Sequence, residues 1–162
     1  MMRHKLARMI LACCLLTSNL AVGDDLSPEQ KILGRFVGEW DGVDQDQKFA
    51  FDVSSSWKLN GQIIEQKQVF RDGAESLILR GYDKQSKKYF LSLHDSRGIH
   101  LMLTGDWNEE TKTFTFTGHS GEMAVTVKST FRNDATEDWT ITLVLVGGDV
   151  TELRGTNTRV TK

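Results

Sequence analysis

Proline is almost missing from this chain: Pro28 is the only one in 162 residues. Cysteine is scarce as well, and its two copies, Cys13 and Cys14, stand side by side near the start. Basic charge shows no excess, with 20 Lys and Arg against 22 Asp and Glu, so the chain lacks the electrostatic footprint of a nucleic-acid binder. No apolar run is long enough to cross a bilayer as a helix. There is no domain linker, no low-complexity tract and no second core. What remains is the composition of one soluble globular domain, 39% apolar and 26% charged.

The first 23 residues read as a secretory signal peptide. Arg3, Lys5 and Arg8 make a positive start, Met9 to Leu16 is a short apolar run, and Ala21-Val22-Gly23 offers small residues for cleavage. The mature domain is then 24–162. It contains no cysteine, although export would place it where disulfides form, so burial alone must stabilise it. Cleavage removes three basic and no acidic side chains, which takes the net charge from −2 to about −5. Ile10-Leu11-Ala12-Cys13 is a poor lipoprotein signal, because the apolar run before Cys13 is too short. The expected location is secreted or periplasmic.

The mature sequence predicts one short helix and then a strand meander. Ser27 can cap a helix whose first position is Pro28, and Gln30 completes a capping box. Ile32, Leu33 and Phe36 form its apolar stripe, and Gly38 is a natural stop. Beyond it the apolar period falls from 3.6 to 2. Phe114 and Phe116 alternate with threonines, as do Trp139, Ile141, Leu143 and Leu145. Turn signals at Asn60-Gly61, Asp72-Gly73, Arg97-Gly98, Gly121-Glu122 and Gly147-Gly148-Asp149 separate about ten strands. The strands fall near 39–45, 47–58, 62–70, 75–82, 88–95, 99–105, 112–118, 123–132, 137–146 and 150–160. No interval can hold a crossover helix, so neighbours pair as antiparallel hairpins. An open sheet of this size would leave two bare edges, which closure into a barrel removes. Period 2 leaves open which face points inward. Thr156, Thr158 and Arg159 on the last strand, with Lys67, Arg80, Lys128 and Arg132 elsewhere, argue against a lipid-facing band.

Phe36-Val37-Gly38-Glu39-Trp40 carries a Gly-x-Trp at the head of the first strand, and in this the chain resembles the calycins, the lipocalin-like barrels. Further pieces resemble a bacterial family named domain of unknown function 1579. They are Trp57 to Gly61, Gly81-Tyr82-Asp83 with Tyr89, Asp95-Ser96 and Gly105-Asp106-Trp107. The likeness covers nearly all of residues 30–160. The family tends to end in Tyr-x-Arg, where this chain has Asn157-Thr158-Arg159. The resemblance implies an all-β fold, a single calycin-like up-and-down antiparallel barrel of about ten strands with one short N-terminal helix. It also implies structural roles for Gly38, Trp40 and Arg159, and it carries no activity.

Catalytic patterns are missing. Gly118-His119-Ser120-Gly121 lacks the spacing of a nucleophile elbow and reads as a polar turn. Asp41, Asp44 and Asp46 lack the glycine and spacing of a calcium loop. No phosphate loop occurs, and no histidine follows His119, which leaves haem without its usual C-terminal ligand. His94 and His100 are the candidate ligand-binding pair. A hairpin centred on Arg97 sets them opposite one another, while a third metal ligand is not evident. Glu65, Lys67 and Arg80 could supply a polar interior site, their facing being open. No cofactor or metal is implied. The expected function is non-catalytic binding of a small apolar ligand inside the barrel. A structural or protein-interaction module, or an enzyme with a polar site in the lumen, stand as alternatives. Whether the interior is filled or hollow is not legible, because both use the same residue types.

Intact-mass measurement of the exported protein should give a chain starting at or near Asp24. A mass that retains an acylated Cys13 would make it a lipoprotein instead.

Overall fold

The computed structural model describes residues 26–46 and 48–161. The expected signal peptide lies outside them. Helix α1 (Pro28–Leu33) begins with the capping box: Ser27 Oγ accepts from the Gln30 N–H at 3.3 Å, and Gln30 Oε1 accepts from the Ser27 N–H at 2.7 Å. The helix is shorter than its stripe predicts. It tightens into a 3₁₀ turn over Gly34–Phe36. Gly38 does not stop it but opens the first strand, with a φ of 128° that a side chain would strain.

Ten strands follow: β1 (Gly38–Asp44), β2 (Ala50–Lys58), β3 (Ile63–Phe70), β4 (Glu75–Asp83), β5 (Lys88–Asp95), β6 (His100–Asn108), β7 (Thr113–Ser120), β8 (Met123–Asn133), β9 (Thr136–Val144) and β10 (Val150–Arg159). Each pairs antiparallel with its sequence neighbours, and β1 pairs with β10, so the sheet closes into a ten-stranded barrel. Two local readings need correction. Gly118, His119 and Ser120 belong to β7, and the turn falls at Gly121 and Glu122. The β2–β3 turn is wider than a two-residue hairpin, since Leu59 as well as Asn60 takes a left-handed conformation, with φ of 48° and 54°.

Period 2 sorts each strand between lumen and solvent. Phe51, Val53, Ile64, Ile78, Leu91, Leu103, Phe114, Phe116 and Val125 are buried inside. The outer wall carries charged pairs such as Lys58–Glu65 at 3.4 Å, Lys67–Glu75 at 3.0 Å and Lys88–Asp106 at 2.7 Å. That is the reverse of a lipid-facing band. Among the described residues no helix is long and apolar enough to cross a membrane.

One barrel end is plugged. Leu33 and Phe36 hang into it and are buried, and Gln30 Nε2 donates to the Gly61 carbonyl at 2.7 Å, tying α1 to the β2–β3 turn. Trp40 and Arg159 are cross-strand partners at the β1–β10 seam. The Arg159 guanidinium lies 4.0 Å from the centroid of the Trp40 ring. It donates from Nη1 to the Val37 carbonyl at 2.5 Å, from Nη2 to the Arg35 carbonyl at 3.0 Å, and from Nε to the Asp134 carbonyl at 2.8 Å. Trp40 Nε1 donates to the Phe36 carbonyl at 3.1 Å. Three successive carbonyls at the end of the helical plug are thus satisfied by two side chains of the seam.

Trp40→Ala should cost about 3–5 kcal/mol in urea denaturation, through the cavity and the orphaned Phe36 carbonyl. Arg159→Lys should cost about 1–2 kcal/mol, because an ammonium neither stacks nor forks to three carbonyls. A neutral Arg159→Lys would show that the seam does not depend on the guanidinium.

Candidate functional site

The lumen is not uniformly apolar. Ser55, Gln66, Arg80, Ser129, Glu137 and Asn157 all point inward from the strands, and each is 5% exposed or less. Five of them form two groups on different stretches of wall, and Ser129 lies on β8 opposite Trp139. Ser55 on β2 is the cross-strand partner of Gln66 on β3, and Arg80 Nη1 on β4 donates to Gln66 Oε1. The Arg80 guanidinium lies 4.1 Å from the centroid of the Phe36 ring, directly beneath the plug. On β9 and β10, Glu137 and Asn157 are cross-strand partners, and Asn157 Nδ2 donates to Glu137 Oε2 at 2.9 Å.

Burial pushes the Arg80 guanidinium down to about 10, and the Glu137 carboxylate opposes that shift. Arg80 therefore stays charged at neutral pH. The two charges balance without forming a direct ion pair. Among the described residues, four buried side-chain atoms have no hydrogen-bond partner: Ser55 Oγ, Arg80 Nε, Trp139 Nε1 and Asn157 Oδ1. An unmet buried polar atom costs about 1–3 kcal/mol, so four in one lumen are a concentrated expense.

Aromatic rings enclose this polar belt. Toward the plug, Phe36 packs on Phe114 with centroids 5.2 Å apart and edge-on to Phe131 at 5.1 Å, and Tyr89 meets Phe114 at 5.0 Å. Toward the other end, Trp139 packs against Phe49 at 6.3 Å and Phe51 at 6.1 Å. Two depressions among the described residues lie elsewhere. One, of about 460 Å³, is lined by Lys31, Arg35, Asp134 and Arg159 at the plug. The other, of about 370 Å³, lies at the β1–β10 seam beside Asp44, Trp139, Arg154 and Gly155.

The residues expected to carry chemistry are dispersed. His94 and His100 do face each other, as the Arg97-centred register requires, with Nδ1 atoms 3.1 Å apart. They lie exposed on the outer wall, where His94 Nε2 also meets Ser92 Oγ at 2.8 Å, and so do not line the lumen. Among the described residues no three metal-ligating side chains come together. Glu65 and Lys67 point outward into surface ion pairs, which leaves Arg80 as the only member of that trio inside. Asp44 turns inward and accepts the Phe49 N–H at 2.9 Å, whereas Asp46 pairs with Lys48 at 2.8 Å. Sequence reasoning missed Ser55, Gln66, Ser129, Glu137 and Asn157. The available signal was parity: Glu137 shares the face of Trp139 and Ile141, and Gln66 that of Ile64.

Three comparisons place this geometry. A family model described as "Protein of unknown function (DUF1579)" matches residues 25–138. No curated protein matches the chain. Among solved structures, an S-type phycobiliprotein lyase, CPES, from Guillardia theta is similar, with a TM-score of 0.55 and 11% identity over 85% of this chain and 95% of that one. At that identity the likeness concerns the fold alone.

The opposed charges generate a double-mutant test. Glu137→Gln leaves Arg80 buried without its counter-charge, and Arg80→Met does the converse. Each single change should cost about 3 kcal/mol. The double variant should be at least as stable as the wild type, because it removes both desolvated charges. Additive losses in urea midpoints would show that the two groups do not sense each other.

Proposed function

We propose that this barrel, whose chain belongs to the DUF1579 family, is a non-catalytic carrier or sensor that holds one small, mostly apolar ligand in its lumen. The family description assigns no activity, so the reading rests on the lumen itself. The observation that carries it is the set of four unpartnered buried polar atoms, donors and acceptors together, on strands β2, β4, β9 and β10. A core meant only to be filled has no use for them, since apolar side chains of like size would be more stable. A ligand with a few polar atoms would satisfy them while its apolar body packs on the aromatic rings. The signal-peptide pattern of residues 1–23 supports an exported carrier.

A second reading, an interaction module, is favoured by the β9–β10 hairpin. Its tip exposes Leu145, Val146 and Val150, at 49%, 73% and 62%.

Native mass spectrometry of protein purified from its own source should reveal a small co-purified molecule, released on denaturation. Protein of bare polypeptide mass, combined with loss of self-association or partner capture in Val146→Ser, would favour the interaction module.

A further inference from the structure

We propose that the outer wall of the β5–β6 hairpin carries a copper-binding site, with the ring nitrogens of His94 and His100 as its two principal ligands and the Met102 thioether as a soft third. The site is separate from the lumen and does not depend on what the barrel holds. The two histidines are cross-strand partners. Their Nδ1 atoms are 3.1 Å apart, with ring centroids at 5.3 Å and planes at 57°. An ion about 2.0–2.1 Å from both nitrogens would see them at roughly 100°, an ordinary angle between two ligands of one metal. Both rings are exposed, so an ion reaches them without opening the barrel.

The pair is held in this geometry from two sides. Ser92 Oγ lies 2.8 Å from His94 Nε2. With the Nε2–H donated to that hydroxyl, His94 keeps its Nδ1 lone pair and accepts the His100 Nδ1–H. A metal takes the place of that shared hydrogen. His100 then carries its proton on Nε2, so both rings stay neutral and both offer Nδ1. A polar partner on the other nitrogen is how ligating imidazoles are commonly oriented. On the turn side, Asp95 fixes the register. Its backbone N–H donates to the Ile99 carbonyl at 2.9 Å, and its carboxylate accepts from Arg97 Nε at 2.9 Å and Nη2 at 2.8 Å.

The ligand chemistry selects the metal. Among the described residues no Cys, Asp, Glu or third His joins the pair, and the Asp95 carboxylate is buried and engaged by Arg97 and Ser76. That disfavours calcium, magnesium and manganese, which take oxygen ligands, and structural zinc, which takes four protein ligands. Met102 follows His100 by two residues on β6, so the two share the outer face, and it stands opposite Ser92. It is 78% exposed, more than any other large hydrophobic side chain among the described residues. A side chain so exposed contributes little to packing, yet its sulfur is a soft donor beside two imidazoles. Imidazole with thioether suits copper, which also heads the divalent order at nitrogen sites.

The experiment titrates untagged protein with copper(II) near neutral pH, follows binding by calorimetry and reads the ligands by electron paramagnetic resonance. One ion per chain should bind, with splitting from two imidazole nitrogens, and zinc(II) should bind at least roughly tenfold more weakly. His94→Ala and His100→Ala, both at exposed positions, should keep the circular-dichroism spectrum of the fold, lose at least roughly tenfold in affinity and lose the splitting from one nitrogen. Copper(I), supplied from a colorimetric chelator under reductant, should be held about tenfold less tightly by Met102→Leu than by the wild type. Copper that binds both histidine variants as well as the wild type sits elsewhere on the chain and overturns the site, as does the absence of stoichiometric binding. Zinc binding as tight as copper overturns the choice of metal. An unchanged copper(I) affinity in Met102→Leu removes the thioether from the ligand set. The co-purification test of the lumen is unaffected by any of these outcomes.

Discussion

The guanidinium of Arg159, laid over Trp40 and forked to three backbone carbonyls, is the contact on which the rest of the barrel depends. A sheet of ten strands has two edges, and here they belong to the first and last strands, β1 and β10. Bringing them together carries the loop-closure entropy of nearly the whole domain, and no disulfide contributes among the described residues. The seam therefore needs contacts that only the closed state makes. Arg159 and Trp40 supply them, and the same contacts hold the helical plug, whose last carbonyls would otherwise be orphaned. Closing the sheet and capping the end are one event in this structure. Gly38 permits it, because a side chain there would meet the Arg159 guanidinium.

The fold was legible because local and global signals agree. The capping box at Ser27 and Gln30, the period-2 alternation and the glycine turns each point to the same meander, and the missing crossover segments leave only antiparallel neighbours. The His94–His100 pairing could be read for the same reason: one register alone keeps Leu93 and Leu101 on the buried face. Boundaries were less legible. Gly118 suggested a turn because glycine usually marks one, yet it stands within β7 packed closely against the backbone at Met102, where no side chain would fit. Long-range packing overrode the local signal there.

The lumen was harder to read, and the reason is physical. Polar residues at inward parity conflict with burial, so a reader of alternation assigns them to solvent or leaves their facing open. Glu137 and Asn157 show what resolves the conflict: each is the other's cross-strand partner, and the pair is hydrogen-bonded. Such a pair becomes visible only when strand register is known. Arg80 is a stronger case. Its neighbours by parity, Ile78 and Tyr82, mark the inward face, but no sequence pattern announces that Gln66 on the next strand will hold it. Places where sequence consistency fails in this way are where function is expected to reside.

The two ends of the barrel complete the asymmetry. At the plugged end, α1 is fixed to the β2–β3 turn and to the seam. At the other end the seam opens, because β1 stops at Asp44 while β10 extends back to Val150. The last bond across it runs from the Gln45 N–H to the Arg154 carbonyl, at 2.8 Å. From Val150 to Arg154 every residue of β10 is exposed, with only β9 beside it in the sheet. Trp139 floors the gap, lying across Gly155, where a Cβ would collide with its indole. One end is thus capped by α1 and tied at the seam, while the other leaves half of β10 without a β1 partner. Trp139, which floors that gap, also carries at Nε1 one of the four unmet buried hydrogen-bonding atoms among the described residues.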